Sequence, residues 1–266
     1  MKKARNGFLK FPRTFLKTLY DLDYYRILDK LPLKKGILYL IMVSVISGII
    51  AMIPFLSATN RDIEKLTEIF TYDSPAFSIE EGRFRVEGQS PVTVHEQPGK
   101  DFIIVMDQED ATSIPTYREY RTAVVFFSDS LYIKYTNLSR NLDYDSLFVE
   151  SVDKEDFLVL FSLFRISFVF FALFFVLYMI ITRFIGAFII AFLARTVAIF
   201  TKKPRMTLKR TFNLACYAST LPTILATAAL VFSVQVMFAD IIYVLFGLLY
   251  VWPAIKRIHS SDQFAS

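Results

Sequence analysis

Four ionisable residues, Arg165, Arg183, Arg195 and Asp240, stand in stretches that are otherwise apolar. A charge in such surroundings is costly unless it is paired or reaches a polar interface. Residues of this kind therefore mark ion pairs, phosphate anchors or a ligand path. Arg165 and Asp240 are expected at the same outer edge of two neighbouring apolar segments, where pairing would tie one to the other. The alternative is that each reaches separately to lipid headgroups. Arg183 and Arg195, with Lys202, Lys203 and Arg205 beyond them, have the placement of anchors to inner-leaflet phosphates. Arginines lining a substrate path are the competing reading. The chain holds no HExxH, GxSxG, Walker or GxGxxG sequence, so the zinc, nucleophilic and nucleotide chemistries that need those spacings are not expected. His95 and His259 lie far apart and Cys216 is the single cysteine, so no metal site, no cofactor and no intrachain disulfide are expected. Glu80-Glu81 reads as part of a turn instead of an acid pair. The expectation is a non-enzymatic protein.

Hydropathy and charge define the elements that must position these residues. A mean hydropathy of +0.43 with 54% hydrophobic and 16% aromatic residues is too apolar for an ordinary soluble domain. Twenty of the 25 acidic residues fall between Ser57 and Asp156, against ten Lys and Arg, and none lies between Asp156 and Asp240. The first 35 residues carry ten basic and three acidic side chains, and residues 157–266 carry ten and two. The net charge of +5 thus sums unlike parts, basic flanks around an acidic centre. That pattern points to a lipid bilayer and not to nucleic acid.

Residues 36–56 are an uncharged run behind a basic leader, with Lys34 and Lys35 at its edge. About 20 apolar residues at ~1.5 Å each cross a ~30 Å hydrocarbon layer, and the leader's charge puts the N-terminus in the cytoplasm, as for an uncleaved signal anchor. Thr211 to Ala239 is a second uncharged span. Pro222 should kink it, with the hydroxyls of Ser219, Thr220 and Thr223 available to the freed carbonyl. Ile241 to Ile255 is a short last span that leaves through Tyr250, Trp252, Lys256 and Arg257. Phe157 to Phe200 is harder to place, since as one helix it would be about 66 Å long. Arg165 and Arg183 fit the two faces of one span, which leaves 184–200 as a further span, a re-entrant segment or a helix packed under the bundle. The basic loop 201–210 favours four crossings, which put it in the cytoplasm with Lys256 and Arg257. Five crossings stay open.

Between residues 57 and 156 the pattern becomes short and alternating. Ile63, Leu66, Ile69 and Phe70 recur at helical spacing after a Thr59 or Asn60 cap. Phe77 and Ile79, then Phe84 and Val86, alternate on either side of Glu81-Gly82 as in a hairpin. FIIVM (102–106) and TAVVFF (122–127) read as buried strands, and Ser128-Asp129-Ser130 turns the chain into LYIKY. Asn137-Leu138-Ser139 is a glycosylation sequon, meaningful only in a eukaryotic source. The N-terminal arm interleaves Phe8, Phe11, Phe15, Leu16 and Leu19 with Lys10, Arg13 and Lys17. That suits a helix lying on an anionic leaflet, or one packed against the cytoplasmic ends of the spans.

These segments describe a polytopic α-helical membrane protein with an inserted small α+β extracytoplasmic domain of four or five strands. The arm is 1–35, the first span 36–56, the domain 57–156 and the C-terminal bundle 157–266. With FLKTLYDLDYYRIL in the arm and IEEGRFRVEG and DFIIVMDQED in the domain, the chain resembles domain-of-unknown-function family 1189, found mainly in Gram-positive bacteria. Some members are labelled maltodextrin-utilisation membrane proteins, which implies an accessory role in sugar uptake. The C-terminal half, through LACYASTLP with Tyr217 and Pro222, is similar to Yip1-type membrane domains. The expected function is ligand or partner recognition by the outer domain of a multi-pass plasma-membrane protein, with the bundle coupling to another membrane protein. A transporter and a membrane scaffold are the alternatives. A transporter would use polar residues such as Asn213, Ser219, Thr220, Thr223, Thr227, Ser233 and Gln235, which point at several helical angles.

Overall fold

The computed structural model describes residues 11–108, 114–147, 151–200, 206–234 and 236–263. Phe8, Lys10, Lys202, Lys203, Arg205 and Gln235 lie outside the described residues, as does the side chain of His259. Helices α1 (Phe11–Tyr20), α2 (Tyr25–Asp29) and α3 (Leu33–Glu68) come first. Strands β1 (Phe77–Glu80), β2 (Arg83–Val86), β3 (Val92–Glu96) and β4 (Phe102–Met106) follow, then the short helix α4 (Ile114–Tyr117). Next are β5 (Thr122–Phe126), β6 (Ser130–Tyr135), β7 (Leu138–Asp143), α5 (Tyr144–Leu147) and β8 (Val152–Asp153). The chain ends in α6 (Lys154–Phe200), α7 (Leu208–Ala218), α8 (Thr220–Val231) and α9 (Ala239–Gln263). It divides into a bundle unit, up to Leu56 and again from Val169, and a sheet unit, Ser57–Phe168.

Two long helices belong to both units. No separate helix starts at Thr59 or Asn60, because α3 runs through them and ends in a π-helical turn at Ile69–Asp73. Nothing in Ser57-Ala58-Thr59-Asn60 breaks a helix, and a cap is required only where a helix begins. Likewise residues 184–200 continue α6, a 47-residue helix of about 70 Å. A further span or a re-entrant turn would need a break that is not there. Among the described residues three helices are long and apolar enough to cross a membrane, or up to four if the bent pair α7–α8 is one span. That pair bends by 41° next to Pro222. There the Ser219 hydroxyl donates to the Ala215 carbonyl (2.8 Å) and the Thr220 hydroxyl to that of Tyr217 (2.6 Å). Hydropathy carries this span to Ala239, but the helix stops at Val231. Ser233 turns left-handed (φ 53°) and the Val234 amide reaches back to the Ala229 carbonyl, a Schellman-type closure.

The arm packs against the bundle, the second of its two expected placements. Phe11 and Phe15 lie against the bundle core, and buried Thr18 shares hydrogen bonds with Tyr39 (3.1 Å) and Thr220 (3.3 Å). Tyr250 donates to the Leu19 carbonyl, Arg257 pairs with Asp23 at 3.0 Å, and Arg210 forks onto Asp29. Asn213 donates to the carbonyls of Leu28 and Leu31. Gly36 admits this asparagine, since a Cβ there would lie 2.3 Å from its Oδ1.

The sheet unit has a five-stranded sheet in the order β3-β4-β5-β6-β7, in which β4 and β5 run parallel, and a three-stranded sheet β2-β1-β8. The β1–β2 hairpin turns at Glu81 (φ 50°) and Gly82 (φ 69°), two left-handed positions as a two-residue primed turn needs. FIIVM is apolar throughout because both faces of β4 are covered. Ile104 and Met106 join Phe70, Phe77, Phe84 and Phe126 in one core, while Ile103 and Val105 join Val125, Phe127 and Tyr117 in another. Phe157 and Phe161 pack on the first core, so the unit extends beyond Asp156 to Phe168. Glu80 and Glu81 belong to the hairpin, and Asn137 sits in the exposed β6–β7 turn.

Candidate functional site

The sheet unit holds a groove of about 990 Å³ between the end of α3 and the five-stranded sheet. One wall is a helical stripe, Asp62, Lys65, Leu66, Ile69, Tyr72 and Asp73, spaced so that all share one face. The other comes from strand ends. The registers Phe102↔Thr122 and Thr122↔Tyr135 bring β4, β5 and β6 level there, and a bulge in β3 precedes His95. Arg121 is held by two backbone bonds, its amide to the Lys100 carbonyl and its carbonyl from the Thr136 amide. Tyr72 and Tyr135 are 82% and 67% exposed at the rim, an arrangement available for flat contact with a ligand. Asp62, Glu68, Asp73 and Asp101 outnumber Lys65 and Arg121, so the groove suits a hydroxylated or cationic ligand better than an anion. Sequence reading missed it, because its residues come from five elements. The only local signal was that Tyr72 continues the Leu66, Ile69 stripe by three residues.

The expected charged residues fall differently. Arg165 lies in the sheet unit and its ion-pair partner is Glu64, at 3.6 Å. Both side chains are more than half exposed, so the pair contributes only ~0–1 kcal/mol. Asp240 opens α9 in the bundle unit, in the wall of a cavity of about 790 Å³ that Arg183, Pro222 and Tyr243 also line. Arg195 is exposed on α6. Arg183, expected as another anchor, is instead enclosed. It is 9% exposed, with its guanidinium carbon 4.6 Å from the Tyr243 ring centroid and its Nε without a hydrogen-bond acceptor. The reason is the small-residue face of α6. At Gly186 a Cβ would lie 2.7 Å from the Tyr243 ring, and Ala187, Ala191 and Ala194 continue that face inward. Desolvating a guanidinium costs several kcal/mol, and an aromatic face offsets about 2 kcal/mol of it. Tyr217 is buried against Tyr39, with ring centroids 4.7 Å apart, a packing position. Among the described residues no three His, Cys, Asp or Glu side chains converge as a metal site.

A family model described as Protein of unknown function (DUF1189) matches residues 13–255, nearly the whole described chain. The chain belongs to that family. The match runs from within the arm through both units to Ile255 in α9. No curated protein matches the chain, and neither does any solved structure.

Proposed function

We propose that this protein is a non-enzymatic, multi-pass plasma-membrane protein with its N-terminus in the cytoplasm. Its sheet unit recognises a ligand or partner outside, and its bundle couples that event to another membrane protein. One observation carries the reading. The helix that forms the groove wall through Asp62, Lys65 and Tyr72 is the same unbroken helix that supplies Tyr39, Leu40 and Val43 to the bundle core. A ligand in the groove therefore touches an element whose other end is packed into the bundle. The membrane assignment is supported by α6, whose most apolar window has no residue buried inside the protein. It leaves Phe170, Phe171 and Phe174 more than half exposed, a surface that lipid covers and water does not. A transporter is less well supported, because the polar side chains of α7 and α8 are used in packing. Asn213 bonds to Leu28 and Leu31, Ser219 to Ala215, and Thr227 to Thr223.

The test is photo-crosslinking in native membranes from a benzophenone amino acid at position 72 or 135, with position 140 on exposed β7 as control. Adducts from 72 and 135 that disappear on Arg121→Ala with Asp101→Ala, and none from 140, are the expected result. Equal adducts from 140, or none from the groove, would refute the proposal.

A further inference from the structure

The bundle cavity holds a charge without an ion-pair partner among the described residues. Among the described residues no carboxylate lies within ion-pair distance of Arg183, and its Nε faces no acceptor. Three features keep the guanidinium in place. Gly186 lets the Tyr243 ring lie close on α6, the Tyr243 hydroxyl is held by Thr223 at 3.3 Å, and Arg183 sits over the ring. Around this point the lining is apolar, with Phe175, Ile189, Leu225 and Leu230 among it. Rim residues such as Tyr178, Ile185 and Ile242 are exposed, so the cavity opens sideways on a surface that the proposed bilayer would cover. The remaining polar groups in the wall are Thr182, Tyr178 and the exposed carboxylate of Asp240, one helical turn from Tyr243. Thr182 is already bonded to the Met179 carbonyl.

We propose that this cavity binds a membrane phospholipid, its phosphodiester held by Arg183 above Tyr243 and its acyl chain along the apolar wall. A guanidinium is a strong phosphate donor in a low-dielectric site, and an apolar pocket with few placed polar groups is the usual form of a ligand site. Asp240 selects the headgroup. Its carboxylate accepts from a hydroxyl or ammonium beyond the phosphate and has no donor to meet on a choline. The site rests on the membrane reading of the bundle but not on the groove, so either can fail alone.

The test is native mass spectrometry of the full chain, delipidated in detergent and titrated with phosphatidylglycerol, phosphatidylethanolamine, phosphatidylcholine or inorganic phosphate. The expected result is tighter binding of the first two lipids, a loss of more than tenfold in Arg183→Gln, and no change in Arg195→Gln. Asp240→Asn should bring phosphatidylcholine level with the other lipids. Ala226→Phe puts a bulky side chain on the cavity lining while keeping Arg183 and should also block binding, which keeps the test valid if Arg183→Gln misfolds. Unchanged lipid binding in both Arg183→Gln and Ala226→Phe overturns the proposal, as does binding of inorganic phosphate with no preference for a lipid.

Discussion

Replacing Arg210 by Gln should loosen the arm from the bundle, and the structure sets the scale. The Asp29 side chain is 2% exposed and that of Arg210 42%, so the substitution leaves a carboxylate enclosed with its counter-charge gone. Breaking a buried pair costs ~3–5 kcal/mol and an exposed one ~0–1 kcal/mol. With one partner buried and the other partly wet, about 2–3 kcal/mol is expected. At ~2–4 °C per kcal/mol for a unit of this size, the full chain in detergent should melt roughly 5–10 °C lower. Asp29→Asn should cost less, because a neutral amide replaces the carboxylate and Arg210 can turn into water. The double variant should melt near Asp29→Asn alone, since Arg210 then has no buried charge to compensate. Hydrogen exchange should show faster exchange in Phe11–Asp29 for Arg210→Gln and little change in β4 or β5. A shift under about 2 °C for Arg210→Gln, or a double-variant shift equal to the sum of the singles, would refute the reasoning.

Gly82→Ala should destabilise the sheet unit by more than the ~1–2 kcal/mol of a left-handed non-glycine residue. The new methyl would lie 1.9 Å from Asp145 Oδ1; unchanged resistance to proteolysis would count against the hairpin geometry. Lys100 holds the Glu119 carboxyl below its ordinary value of 4.5. Because the folded value is the lower one, that stabilisation is present above pH 4.5 and is lost as pH falls through the folded value. Lys100→Gln should therefore lower the melting temperature slightly at neutral pH, less so in high salt, and the gap should close in acid. A gap that widened in acid would contradict the sign. Trypsin added to intact protoplasts should cut within Ser57–Phe168, at exposed sites such as Arg61 and Arg83, and spare Arg13 and Lys17. Cleavage confined to the arm would reverse the assigned orientation.

Features that depend on near neighbours were legible in the sequence. The Glu81-Gly82 turn follows from left-handed backbone that only a few residue types accept, and the β4 and β5 strands from unbroken apolar runs. The bend at Pro222 follows from its missing N–H, but the hydroxyls expected on the freed Ala218 carbonyl go elsewhere, Ser219 to Ala215, Thr220 to Tyr217 and Thr223 to Tyr243. That the helical segments are apolar was equally plain, because hydropathy sums over a window, but it did not show that 184–200 continues α6 or that α8 stops at Val231. Family membership came through on the same local stretches of arm and hairpin.

Tertiary structure decided which side of each apolar helix meets protein. Hydropathy could not separate Arg195, exposed, from Arg183, enclosed twelve residues earlier on the same helix. Both are arginines in apolar surroundings, and the difference lies in Gly186 and the alanines that let Tyr243 approach. Spacing along the chain likewise could not supply Glu64 as the neighbour of Arg165, dock the arm through Asp29 and Arg210, or gather the groove from α3 and the ends of four strands. The transfer energy of a segment belongs to its own residues and can be read from them. Pairing and enclosure depend on atoms brought in from distant parts of the chain, and only the folded chain assembles those.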